Sequence, residues 1–106
     1  MWTPDEIAKE TRHRILVAVA AYAYEFLSES ILSDHEFDAM ALAIRPEMKT
    51  ARPWHTPDQK RRVAKLDKFF RTQFHADTGQ WIHRHPELSL VAHKYETTYG
   101  NKKARS

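Results

Sequence analysis

A chain of 106 residues without cysteine excludes disulfides, thiolate catalysis and cysteine-ligated zinc, and its length fits one domain. Its 42% hydrophobic and 29% charged residues are those of an ordinary globular protein, and its longest apolar run, Ile15 to Ala23, has nine residues, too few to span a bilayer. The net charge of +3 hides a segregation: residues 1–48 carry four Lys/Arg against nine Asp/Glu, net −5, whereas residues 49–106 carry thirteen against five, net +8.

Thr3-Pro4-Asp5-Glu6 opens the first predicted helix. Thr stands at the N-cap, Pro at the first helical position and Glu three residues after the cap. The helix is expected from about Pro4 to about Ser28, with Ile7, Ile15, Val19, Tyr22 and Phe26 recurring at helical spacing. Arg12 and Arg14 precede the apolar run, but Asp5, Glu6 and Glu10 offset them and no small-residue cleavage site follows, so no signal peptide is expected and a cytoplasmic location is. Ser33-Asp34-His35-Glu36 repeats the capping pattern and opens a second helix, about Asp34 to Ile44, that stops before Pro46. The five residues between these helices predict an antiparallel hairpin.

Residues 45–55, with two prolines, read as an irregular link. Thr56-Pro57-Asp58-Gln59 starts a third helix, about Pro57 to Phe74, with Val63, Leu66, Phe70 and Phe74 inward. Asp77-Thr78-Gly79 reads as a turn, and Gln80 to His83 as briefly extended. A last helix, about Pro86 to Thr98, would bury Leu88, Val91 and Tyr95, with Gly100 as its C-terminal cap. The expected architecture is all-α: one small domain of about four helices, with a hairpin over 1–44, a basic helical half over 45–100 and a basic tail over 101–106.

Tyr22 and Tyr24 near the end of the first helix, a short break, and then Leu32-Ser33-Asp34-His35-Glu36-Phe37-Asp38 form a pattern that resembles the N-terminal module of bacterial NAD-dependent DNA ligases. That module has two spaced aromatics, a break, and an I-x-D-x-E-Y-D segment, and it holds the nicotinamide mononucleotide half of NAD. The resemblance covers about 25 residues, Val19 to Ala43. It implies a nucleotide pocket formed by Tyr22, Tyr24, Asp34, Phe37 and Asp38, with nicotinamide mononucleotide or NAD as ligand. Glu25 stands where the family has a histidine or another aromatic, and it sets an anion near the expected phosphate. Phe37 keeps the ring of the family's tyrosine and loses its hydroxyl, and no K-x-D-G adenylation motif is present, so a complete ligase is excluded. The rest of the chain resembles the short stand-alone ligase-related proteins of phages and proteobacteria.

Seven histidines raise the question of metal binding: on a strand, His83 and His85 would share a face, with Asp77 or Glu87 beside them. No H-E-x-x-H motif supports such a site, and none is expected. No serine elbow and no glycine-rich phosphate loop is present, so the protein is not expected to be an enzyme. The third helix carries Lys60, Arg61, Arg62, Lys65, Lys68 and Arg71, of which Arg61, Lys65 and Lys68 share one face. Such a stripe suits phosphates or an acidic partner, and Trp54, His55 and Trp81 would add stacking if exposed. Three functions follow as expectations: non-catalytic nucleotide binding, a phage or mobile-element effector that inhibits a host defence complex such as a CRISPR system, and a nucleic-acid-binding accessory role. The last two call for a macromolecular partner, and none involves a membrane.

Overall fold

A computed structural model describes residues 2–100; the expected basic tail, 101–106, lies outside them. Four α-helices appear in order: α1 (Pro4–Leu27), α2 (Asp34–Ala43), α3 (Pro57–Thr72) and α4 (Leu88–Tyr95). A 3₁₀ turn, Gln80–Arg84, precedes α4, and a π turn, Glu96–Gly100, extends it. The architecture is all-α, and no helix among the described residues is long and apolar enough to cross a membrane.

All three capping boxes form. Thr3, Ser33 and Thr56 each accept from a backbone N–H three residues on, and Glu6, Glu36 and Gln59 reach back to the cap N–H groups. The hydrogen bonds received by Glu6 and Glu36 hold both carboxyls below their ordinary range. At the far end of α1, Ser28 takes a left-handed conformation (φ 55°, ψ 36°), and the Glu29 N–H turns back to the Ala23 carbonyl at 2.9 Å. The chain reverses there, and the Arg45 N–H, just past α2, reaches the Glu10 carboxylate near the start of α1 at 2.9 Å. The two helices are therefore antiparallel.

Arg14 is 5% exposed and lies at the centre of a buried polar network. Its Nε donates to Glu10 Oε2 and its Nη1 to Asp67 Oδ1, both at 2.8 Å, and its Nη2 donates to the carbonyls of Arg45 and Met48. Asp67 in turn accepts from the Thr50 N–H and hydroxyl. One guanidinium thus ties α1 to the link after α2 and to α3, while its flat face lies 5.1 Å from the Phe70 ring. Among the described residues no buried side-chain nitrogen or oxygen is left without a partner.

The apolar core joins Val17, Ala18 and Ala21 of α1 to Phe69 and Phe70 of α3, Trp81 and Ile82 of the 3₁₀ turn, and Val91 and Tyr95 of α4. Alanines at 18, 20, 21 and 23 leave room for the neighbouring elements to approach α1. Tyr95 is buried and donates to Glu29 Oε2 at 2.5 Å, and this bond pushes its hydroxyl up to about 12. His85 packs on Phe69 and Phe70, and its Nδ1 accepts the Glu87 N–H at 3.0 Å. Burial pulls its ring down to about 4 against the opposing pull of the Glu87 carboxylate.

Several expectations are corrected. Gln80 to His83 is 3₁₀ rather than extended, because Trp81 and Ile82 both turn into the core and the Trp81 indole N–H donates to the Thr78 carbonyl. Ile15 and Phe26, expected inward, are 45% and 43% exposed. The buried side of α1 runs instead through Glu10, Arg14, Val17, Ala18 and Ala21. Helix α3 stops at Thr72 and α4 starts at Leu88, two residues later than expected. Gly100 closes the π turn after α4 instead of capping the helix.

Two predictions follow from the packing. Arg14→Met leaves two buried carboxylates uncompensated and should destabilise the fold by about 3–5 kcal/mol, measured by urea unfolding. A loss within about 1 kcal/mol would show that the network does not hold the three segments together. His85 stays neutral in the fold while the unfolded chain protonates near its ordinary value of 6.5, so its contribution is full above that pH and declines as pH falls toward about 4. In His85→Gln the fall in unfolding midpoint between pH 7 and pH 5 should be shallower than in the parent; an unchanged fall would contradict the buried neutral ring.

Candidate functional site

The hairpin positions four of the five residues implied as a nucleotide pocket around one cleft. Tyr24 comes from the last turn and a half of α1, and Asp34, Phe37 and Asp38 come from the first turns of α2. The cleft encloses about 320 Å³, at the lower end of the range of small-ligand sites (about 300–1,000 Å³). Tyr24 is 60% exposed, whereas Phe37 is half-buried against the core, so one ring is free and the other fixed.

Tyr22 does not join them. The 100° rotation per residue along α1 turns it to another side, where it stacks on Phe26 at 5.2 Å and leans on Tyr95 at 5.8 Å. Its part is in packing.

The facing wall comes from a segment that the local motif does not announce. Asp77, Thr78, Gly79 and Gln80 line the cleft opposite α2. A Cβ built on Gly79 would lie 3.6 Å from the Ala21 Cβ and 4.0 Å from the Phe37 ring, so this turn rests directly on α1 and α2. The sequence marks Asp77-Thr78-Gly79 as a turn, but nothing local says where a turn lands.

The lining is strongly acidic: Glu25, Asp34, Asp38 and Asp77 all face the cleft. Aromatic faces beside carboxylates suit a flat cation or a polar ring carrying donors. The start of α2 is poorly suited to an anion. The capping box has already engaged the N–H groups of Ser33 and Glu36, and acids crowd the same turn.

Glu25, the residue that departs from the ligase pattern, lies between two lobes. Glu25, Thr78 and Gln80 also line an adjoining space of about 500 Å³ that meets His75, His83 and Arg84. His83 Nε2 donates to the Glu25 carboxylate at 3.0 Å, and the His83 ring lies 4.6 Å from Phe26. His85, next but one in sequence, points to the other side and is buried against Phe69 and Phe70. The 3₁₀ turn thus separates the two histidines that a strand would have aligned. Among the described residues, no three His, Asp or Glu side chains are grouped to hold a metal ion.

The basic helix is laid out as its spacing predicts. Lys60, Arg61, Arg62, Lys65, Lys68 and Arg71 are exposed. Arg61 pairs with Asp58, and Arg62, to one side, makes two bonds to Glu87 at 2.6 and 3.1 Å that raise its already high pKa. Trp54 is 70% exposed and sits edge-on to His55, whereas Trp81 is 4% exposed and belongs to the core. No protein-family model, curated protein or solved structure matches the chain.

Proposed function

We propose that the protein is a non-catalytic binding protein for a nicotinamide nucleotide, held in the cleft between α1, α2 and the 77–80 turn. The observation that supports this reading is the convergence of Tyr24, Phe37, Asp34 and Asp38, four residues of the ligase-like pattern, with Asp77 added from a distant segment. The nicotinamide ring of the mononucleotide is a flat pyridinium cation with an amide donor. Stacking on Tyr24 or Phe37 would meet its face, and the carboxylates would meet its charge and its amide. Each such contact is worth about 1 kcal/mol in a partly open site, so an affinity in the micromolar to millimolar range is expected.

A second reading rests on a separate surface. Six exposed cations along α3, with the exposed Trp54 at its approach, suit a nucleic acid or the acidic face of a host protein complex such as a defence assembly. Binding through this stripe would weaken steeply with salt if the partner is a nucleic acid.

Calorimetric titration with nicotinamide mononucleotide and with NAD tests the first reading. Saturable binding is expected in the parent, reduced at least tenfold in a Tyr24→Ala, Asp38→Ala double variant. Both side chains are exposed, so the variant should keep the fold, with a circular dichroism melt to verify it. No heat at millimolar ligand would overturn the nucleotide reading and leave the α3 surface as the place to look for a partner.

A further inference from the structure

We infer that the basic lobe beyond Glu25 is the phosphate subsite of this cleft, with Arg84, His75 and His83 receiving the anion and Glu25 receiving the ribose hydroxyls. The inference rests on the nucleotide reading above and assigns the orientation of the ligand within it.

Charge layout carries the argument. The two lobes adjoin at Glu25, Thr78 and Gln80, which line both. One lobe holds Asp34, Asp38 and Asp77. The other holds His75, His83 and Arg84 and, apart from the shared Glu25, no acidic residue among the described residues. A nucleotide with a cationic base carries opposite charges at its two ends, and a cleft polarised in this way admits it in one direction only.

The α2 N-terminus is a poor alternative seat for the phosphate, because its capping box and its acids oppose an anion. Arg84 is exposed, and among the described residues its one side-chain bond is from Nη1 to Gln73 Oε1 at 3.3 Å. Its Nε and Nη2 groups are therefore open to an incoming oxyanion. His83 holds Glu25 through Nε2, so its Nδ1 edge faces away from that carboxylate.

Glu25 then has a role. At the junction between the lobes, a carboxylate steadied by His83 can accept from ribose hydroxyls, one sugar away from the phosphate.

The test compares nicotinamide riboside with nicotinamide mononucleotide by calorimetry on the full chain. The mononucleotide should bind at least tenfold more tightly than the riboside. Arg84→Gln should bring the mononucleotide to within about threefold of the riboside while riboside binding stays unchanged. Since Arg84 and His75 are both exposed, His75→Gln serves as a second variant and should move the mononucleotide in the same direction. Equal affinities of the two ligands for the parent would overturn the subsite and leave the nucleotide reading in place. Loss of mononucleotide and riboside binding together in Arg84→Gln would show that the residue shapes the cleft and does not select the phosphate. Absence of binding by either ligand would remove the nucleotide reading and the subsite with it.

Discussion

The buried guanidinium of Arg14 is the constraint on which the arrangement depends. A charge in a core is tolerated only where its donors are matched, and Arg14 meets two carboxylates and two carbonyls from three separate segments. Hydrophobic contacts alone would permit α3 to slide along α1, because aromatic and aliphatic surfaces are adaptable. The fork geometry of an arginine has no such latitude. Asp67 must face Arg14, and this sets the rotation of α3 and brings Phe69 and Phe70 inward while Lys65 and Lys68 turn outward.

From that registration the rest of the molecule is placed. Phe70 and Phe74 pack against Trp81 at 5.9 and 5.0 Å, so the end of α3 anchors the 3₁₀ turn. The anchored turn carries Thr78 and Gly79 against α1 and completes the cleft. A binding surface on the hairpin therefore depends on an ion pair two turns earlier on the same face of α1, through a chain of packed rings.

Much of the fold was legible in the sequence because its signals are local. Three capping boxes, two with proline at the first helical position, mark helix starts by hydrogen bonds among neighbouring residues, and all three form. The buried face of α1 was less legible. Apolarity alone favoured Ile15 and Phe26, while the structure buries Glu10 and Arg14. A signal did exist: Glu10 and Arg14 are four apart and in phase with Val17, Ala18 and Ala21, and Asp67 is in phase with Val63, Phe70 and Phe74. Complementary charges on two apolar faces mark an internal ion pair, a pattern that hydrophobic periodicity overlooks. The site was half legible for a similar reason. Tyr24, Asp34, Phe37 and Asp38 lie within one local motif, whereas the wall from Asp77 to Gln80 arrives by tertiary packing.

The division of the chain into an acidic and a basic half acquires a spatial meaning in the cleft. Read as a list of charges, the basic half points to α3, whose stripe faces solvent. The packing of the 3₁₀ turn, however, carries another part of that half, His75 to Arg84, across to the acidic hairpin. The two halves meet at Glu25 and His83, where an acid of the first is bonded to a base of the second. Around that bonded pair, Asp34 and Asp38 of the first half line one space of ligand size and His75 and Arg84 of the second line the adjoining one, a juxtaposition that neither half of the sequence has alone.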